Sequence, residues 1–123
     1  PPVFAIYMAC LVTRWLKKEG GVAEMDRRAR ERSSLIYDVI DKSSGFYINR
    51  IAPEARSRMN VVFHLAEDAL TDLFVKEAAD AGLVNLKGHR LAGGIRASMY
   101  NALPMEGAVA LANFMKVFAA RHG

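Results

Sequence analysis

Four side chains able to bind anions lie close together in the segment KGHRLAGGIR, residues 87–96. Alternation over residues 94–100 predicts a strand on which Arg96 points away from the core. His89 and Arg90 lie in the glycine-containing loop before that strand. Because the planar guanidinium group matches carboxylate and phosphate, the segment predicts a site for a small ligand with two anionic ends.

Each of these residues also has an ordinary structural interpretation. An arginine in the middle of a strand, such as Arg96, also occurs as a surface residue or paired with a nearby acid. His89 and Arg90 are consistent with a solvated turn, and Lys87 with a loop cation. The residues alone leave these alternatives open.

Hydrophobic periodicity predicts four helices and four short strands that position the segment. The helices are predicted at residues 2–19, 22–42, 67–81 and from 104 onwards, and the strands at 46–49, 59–65, 83–86 and 95–99. Hairpin-paired strands with helices on one side predict an α+β two-layer sandwich, built on a small, mostly antiparallel sheet with helices on one face. Residues 1–123 are expected to form a single domain.

Two of the predicted helices carry distinctive patterns. The first has an apolar stripe at helical spacing, formed by Phe4, Met8, Leu11 and Trp15. The second is charged up to Arg32 and apolar afterwards. Its charged half is predicted to be a solvated face with acid–base pairs such as Asp26–Arg30 and Arg28–Glu31.

Composition restricts the function only loosely. The net charge of +4 permits an anionic ligand or a nucleic acid and requires neither. The single cysteine excludes an internal disulfide and is consistent with a reducing, cytosolic location. No apolar run is long enough to suggest a membrane span. His64 is predicted to lie on the sheet face away from the core as an ordinary histidine, since Glu67 and Asp68 alone do not make a convincing metal site.

The segment KGHR…GGIRASMYNALPMEG resembles the C-terminal signature of the phosphoserine aminotransferases, which are pyridoxal-phosphate (PLP) enzymes of fold type I. The likeness extends over essentially the whole chain, through Pro1-Pro2, WLK at 15–17 with Gly20-Gly21, SRMNV at 57–61 and the ending RHG. The resemblance implies the smaller, C-terminal domain of a longer enzyme, without the large PLP-binding domain. A start at Pro1 without methionine fits that expectation.

The resemblance also implies roles for individual residues. Arg96 is expected to bind the substrate α-carboxylate, while His89 and Arg90 are expected to bind the distal anion, either the phosphate of phosphoserine or the γ-carboxylate of glutamate. No catalytic, cofactor-binding or metal-binding residue is expected in this chain. Lys87 is not expected to form the Schiff base, because the family's lysine belongs to the large domain. The chain alone is therefore expected to be inactive.

For the whole enzyme, the resemblance implies amino-group transfer between O-phospho-L-serine and 2-oxoglutarate, which gives 3-phosphohydroxypyruvate and L-glutamate in serine biosynthesis. Many bacterial members also act on a phosphorylated threonine relative that leads to pyridoxine. A cytoplasmic homodimer with amino-acid and 2-oxo-acid substrates, and without nucleic-acid or membrane partners, is expected.

Two other classes of function compete with this one. A free-standing basic module would use Arg56, Arg58, His89 and Arg90 to bind nucleic acid or another anion, although few aromatic residues are interleaved with these cations. A purely structural regulatory domain would bind no amino-acid substrate at all.

Overall fold

The computed structural model describes residues 1–123, which form four α-helices, three β-strands and two 3₁₀ turns. The helices are α1 (Val3–Lys18), α2 (Gly21–Asp41), α3 (Thr71–Asp80) and α4 (Met105–His122). The strands are β1 (Tyr47–Ile48), β2 (Asn60–Leu65) and β3 (Ile95–Ser98), and the 3₁₀ turns are Pro53–Ala55 and Asp68–Leu70. None of the helices combines the length and the apolar character needed to cross a bilayer.

The strands form an antiparallel sheet in the order β1-β2-β3. Phe63 lies opposite Ile95, and Val62 lies opposite Arg96. Buried and partly exposed residues alternate along β2 and β3, so one face of the sheet is apolar. The predicted α+β class, with a small antiparallel sheet and helices on one face, is confirmed.

Helices α2, α3 and α4 cover the apolar face of the sheet and share one core with it. Phe74 of α3 lies at its centre, and its ring makes edge-to-face contacts with Tyr47, Phe63 and Phe118 at centroid distances of 5.0–6.1 Å. The Tyr47 hydroxyl donates a hydrogen bond to the carbonyl oxygen of Met115, 2.8 Å away. Burial raises the pKa of Tyr47, so this phenol stays neutral and joins the sheet to α4.

The strand predicted at residues 83–86 is absent. Lys87 and Ile95 form only an isolated bridge beside β3. Asn85 has a φ of +61°, a left-handed conformation that cannot continue an extended strand. Residues 83–86 form a loop that runs beside β3. The Arg96 N–H donates a hydrogen bond to the Leu86 carbonyl oxygen and joins the two.

The apolar stripe predicted for α1 is present but is not part of the core. No residue of α1 is buried, and Phe4 is 77% and Trp15 37% exposed. The helix lies against α2 and outside the layer that covers the sheet. Gly20, with a φ of +107°, separates the two helices in the left-handed conformation that favours glycine at a helix end.

The charged half of α2 is only partly the solvated face that was predicted. The Asp26–Arg30 pair is confirmed at 2.9 Å. The Arg28–Glu31 pair is wrong, because Arg28 bonds to Glu24 and to Glu19 across the α1–α2 turn. Placing Arg32 on the solvated face is also wrong. Its side chain is buried, since it falls on the same helical stripe as Ala29 and Ile36.

Removing the central aromatic ring should destabilise the fold strongly. Phe74→Ala is expected to lower the free energy of unfolding by about 3–5 kcal/mol, through lost apolar burial and the cavity left between sheet and helices. The matched control Leu91→Ala, at a side chain that is 86% exposed, should change it by no more than about 0.5 kcal/mol. Urea unfolding checks both, and equal effects would contradict this account of the core.

Acid should weaken the first half of α2. Hydrogen bonds from Arg27 and then Arg28 lower the pKa of Glu24 to about 2, so its stabilising contribution is complete above the unfolded-state pKa of roughly 4.3 and is lost as the pH falls towards 2. Glu24→Gln should therefore reduce the decline of the urea midpoint between pH 5 and 2.5. The control Glu54→Gln changes an exposed acid without an ion pair and should leave the decline as it is.

Candidate anion-binding site

Arg96 lies in β3 on the sheet face that no helix covers, as the alternation predicted. Its side chain is partly exposed, and its Nε is shielded from solvent without a hydrogen-bond partner. It makes no ion pair with any acid of the chain, whereas Arg56 and Arg58 are both paired. The alternative that Arg96 serves an internal acid is therefore excluded for this chain.

A hollow of about 410 Å³ lies along the outer edge of β3, and Arg96 is the cation in its wall. The other walls come from residues 82–86 and from the start of α4, and they are mostly apolar. His89 and Arg90 do not line this hollow. Within this chain, the three predicted site residues therefore do not share one cavity.

The loop that carries His89 and Arg90 is a tight hairpin closed by glycines. The Gly88 N–H donates to the Gly94 carbonyl oxygen at 2.8 Å. A Cβ at Gly88 would lie 2.0 Å from the carbonyl oxygen of Gly93, and Gly94 has a φ of +64° with the Phe63 carbonyl oxygen 2.7 Å from where its Cβ would be. Only glycine fits at these two positions, so the GH and GG pairs of the motif shape the loop.

His89 and Arg90 are both exposed near the tip of this hairpin. The Leu91 N–H donates to Nδ1 of His89 at 3.2 Å, which assigns the proton of the neutral ring to Nε2. Arg90 makes no ion pair. Strand geometry puts the Cα atoms of His89 and Arg96 roughly 10 Å apart, since Arg96 is hydrogen-bonded to Leu86, three residues before His89. The three residues thus lie at one end of the sheet, each open to an outside anion.

Two cations assigned to the competing basic module, Arg56 and Arg58, are already paired with acids. Arg56 donates two hydrogen bonds of 2.7 Å to Asp41 and lies over the Tyr37 ring, 4.6 Å from its centroid. The Arg56 guanidinium lowers the pKa of Asp41. Arg58 pairs with Asp26. The competing basic module therefore loses two of its four proposed contacts.

Neither a metal nor a covalently bound PLP fits the residues present. No three His, Cys, Asp or Glu side chains converge; His64 is half-buried with its ring against Gly94. Every lysine is exposed, and Lys87 lies 3.4 Å from Asp72. A Schiff base requires an amine held in a site shielded from water, which this chain does not provide.

Comparison with known proteins covers nearly the whole chain. The class-V aminotransferase family profile matches residues 1–111. The chain is 52% identical over 122 residues to the phosphoserine aminotransferase of Shouchella clausii (strain KSM-K16), which covers 99% of this chain and 34% of that protein. It is 55% identical over 118 residues to the phosphoserine aminotransferase of Limosilactobacillus fermentum, covering 96% and 33%.

Solved structures agree with the sequence comparison. Phosphoserine aminotransferase from Bacillus circulans subsp. alkalophilus superposes with a TM-score of 0.95 at 46% identity, over 100% of this chain and 34% of that one. PLP-bound phosphoserine aminotransferase from Trichomonas vaginalis gives a TM-score of 0.86 at 42% identity, over 94% and 33%. The chain spans about a third of the length of these relatives. It belongs to the class-V aminotransferase family.

Proposed function

We propose that the full-length protein is a PLP-dependent phosphoserine transaminase and that residues 1–123 form its C-terminal, substrate-binding small domain. It exchanges an amino group between O-phospho-L-serine and 2-oxoglutarate, with 3-phosphohydroxypyruvate and L-glutamate as the other pair, in serine biosynthesis. The observation that carries this proposal is the likeness to phosphoserine aminotransferases over 99% of the chain. PLP and the residues that hold it belong to the remainder of the protein.

In this proposal, Arg96 binds the α-carboxylate of the amino acid. Its freedom from any internal acid supports the role, because a guanidinium already paired with a carboxylate would have to break that pair before binding substrate. A bidentate guanidinium–carboxylate pair fixes orientation as well as position, and orientation of the reacting bonds is a large part of what a binding domain contributes to rate.

His89 and Arg90 bind the distal anion, which is a phosphate in one substrate and a carboxylate in the other. Their exposure at the tip of a glycine-closed hairpin supports this role, since neither side chain forms an ion pair within the chain and the Leu91 N–H occupies only Nδ1 of His89. In this proposal, the full-length protein is a cytoplasmic homodimer whose substrates are small molecules, and it has no nucleic-acid or membrane partner. Use of the phosphorylated threonine relative in pyridoxine synthesis stays a prediction.

Replacing Arg96 should weaken both half-reactions. In the full-length enzyme, Arg96→Lys is expected to lower kcat/KM for phosphoserine and for glutamate by roughly 10- to 100-fold, because the paired charge-assisted hydrogen bonds are lost. The matched control Arg50→Lys changes an exposed arginine without an ion pair. Steady-state kinetics measure both. Equal, small effects would favour the purely structural domain.

Removing the distal pair should affect substrates selectively. His89→Ala combined with Arg90→Ala is expected to lower kcat/KM for phosphoserine at least 10-fold more than for alanine, which has no distal anion to bind. Leu91→Ala, in the same loop and 86% exposed, is the control for loop disturbance. An equal loss with both amino acids would show that the pair only supports the loop.

A further inference from the structure

A second hollow shares Leu103 with the hollow beside Arg96, but Arg96 itself does not line it. It has a volume of about 410 Å³ and is enclosed by α1, α2 and the turn that enters α4. Its walls include Trp15, Arg28, Arg32, Asn101 and Glu106. None of the residues assigned to substrate binding lines it.

Arg32 is the feature of this hollow that the rest of the chain leaves unexplained. Its side chain is 2% exposed. Nη1 donates to the carbonyl oxygen of Leu103 at 2.9 Å and lies 3.5 Å from that of Asn101. Nε and Nη2 are shielded from solvent and have no partner. These two nitrogens form the side edge of the guanidinium, which is a fork that takes a carboxylate or phosphate through two parallel hydrogen bonds.

No acid of the chain compensates the buried charge of Arg32. Burial, and then the charge of Arg28, lower its pKa. Among the acids nearby, Glu31 is bonded to Arg27, and Glu106 makes no ion pair. A buried cation without a counter-ion is strongly unfavourable, so the missing anion is expected from outside this chain.

The start of α4 adds backbone N–H donors beside the same hollow, and Glu106 is the one acid of its first turn. This helix has 18 residues, and no side chain caps its N-terminus, where Pro104 is the N-cap residue. Its first N–H groups and its dipole favour an anion there. The Asn101 Oδ1 is also buried without a partner, and a 180° rotation of that amide would present the Nδ2 donor in its place.

We propose that this hollow binds an anionic group, a carboxylate or a phosphate, between the Nε–Nη2 edge of Arg32 and the first turn of α4. The group has two possible sources with the same chemistry. It is either a free small anion or a carboxylate side chain from the part of the protein outside these residues. The proposed site does not involve Arg96, His89 or Arg90, so it does not depend on the roles proposed for them in substrate binding.

The test uses the full-length protein with His89→Ala and Arg90→Ala introduced, so that phosphate bound at the proposed distal subsite does not contribute. Inorganic phosphate is titrated by calorimetry, and the protein is crystallised in phosphate. A free anion predicts saturable binding that Arg32→Lys weakens at least 10-fold, since lysine keeps the charge without the fork. Arg30→Lys, on the same helix but exposed and paired with Asp26, should leave the affinity unchanged.

If the anion belongs to the protein itself, phosphate will not bind, and the crystals will show a carboxylate within hydrogen-bond distance of Nε and Nη2 of Arg32. The crystal structure does not depend on whether an Arg32 variant folds. Phosphate binding that ignores Arg32, or a guanidinium edge that meets only water or nothing, would overturn the proposal.

Discussion

The sheet is buried on one face only, and the position of Arg96 depends on this constraint. Val61, Phe63, Ile95 and Ala97 are almost completely buried, and burying a side chain the size of Val, Ile or Phe contributes about 1.5–3 kcal/mol. A slip of one residue in β3 would exchange the two faces. It would expose Ile95 and bury an unpaired guanidinium, at a cost of several kcal/mol. Packing on one face therefore holds Arg96 on the other.

Pairing between charges then determines which cations remain available. Acids of α2 and its neighbours bind most of the arginines in that half of the molecule, namely Arg27, Arg28, Arg30, Arg56 and Arg58. Arg90 and Arg96, at the far end of the sheet, have no such partner. Each of these residues contributes equally to the net charge of +4. In the folded chain, however, only the arginines without an ion pair are available to bind a ligand.

Local patterns predicted much of this fold from the sequence. Alternation located β2 and β3 within one residue of their ends. Patterns failed where tertiary context decides. The left-handed conformation of Asn85 prevents the strand that was predicted at residues 83–86. The apolar stripe of α1 resembled that of a core helix, but no residue of α1 is buried in this chain.

Arg32 shows the same limit at the level of one side chain. Its spacing from Ala29 and Ile36 marked it as a core position, but its neighbours in sequence are mostly charged and favoured a solvated face. The carbonyl oxygens that bind it come from a turn about seventy residues later. Similarly, the separation of Arg96 from the His89 hairpin tip follows from the sheet register and is not visible in the motif.

The exposure of α1 affects which part of the chain unfolds first. A helix of 16 residues is only marginally stable in water without tertiary contacts, and this one draws little support from the core. Its amide hydrogens should therefore exchange with solvent through local fraying, while those of β2 and α4 wait for the whole domain to unfold. Proteolysis of this chain would begin at α1.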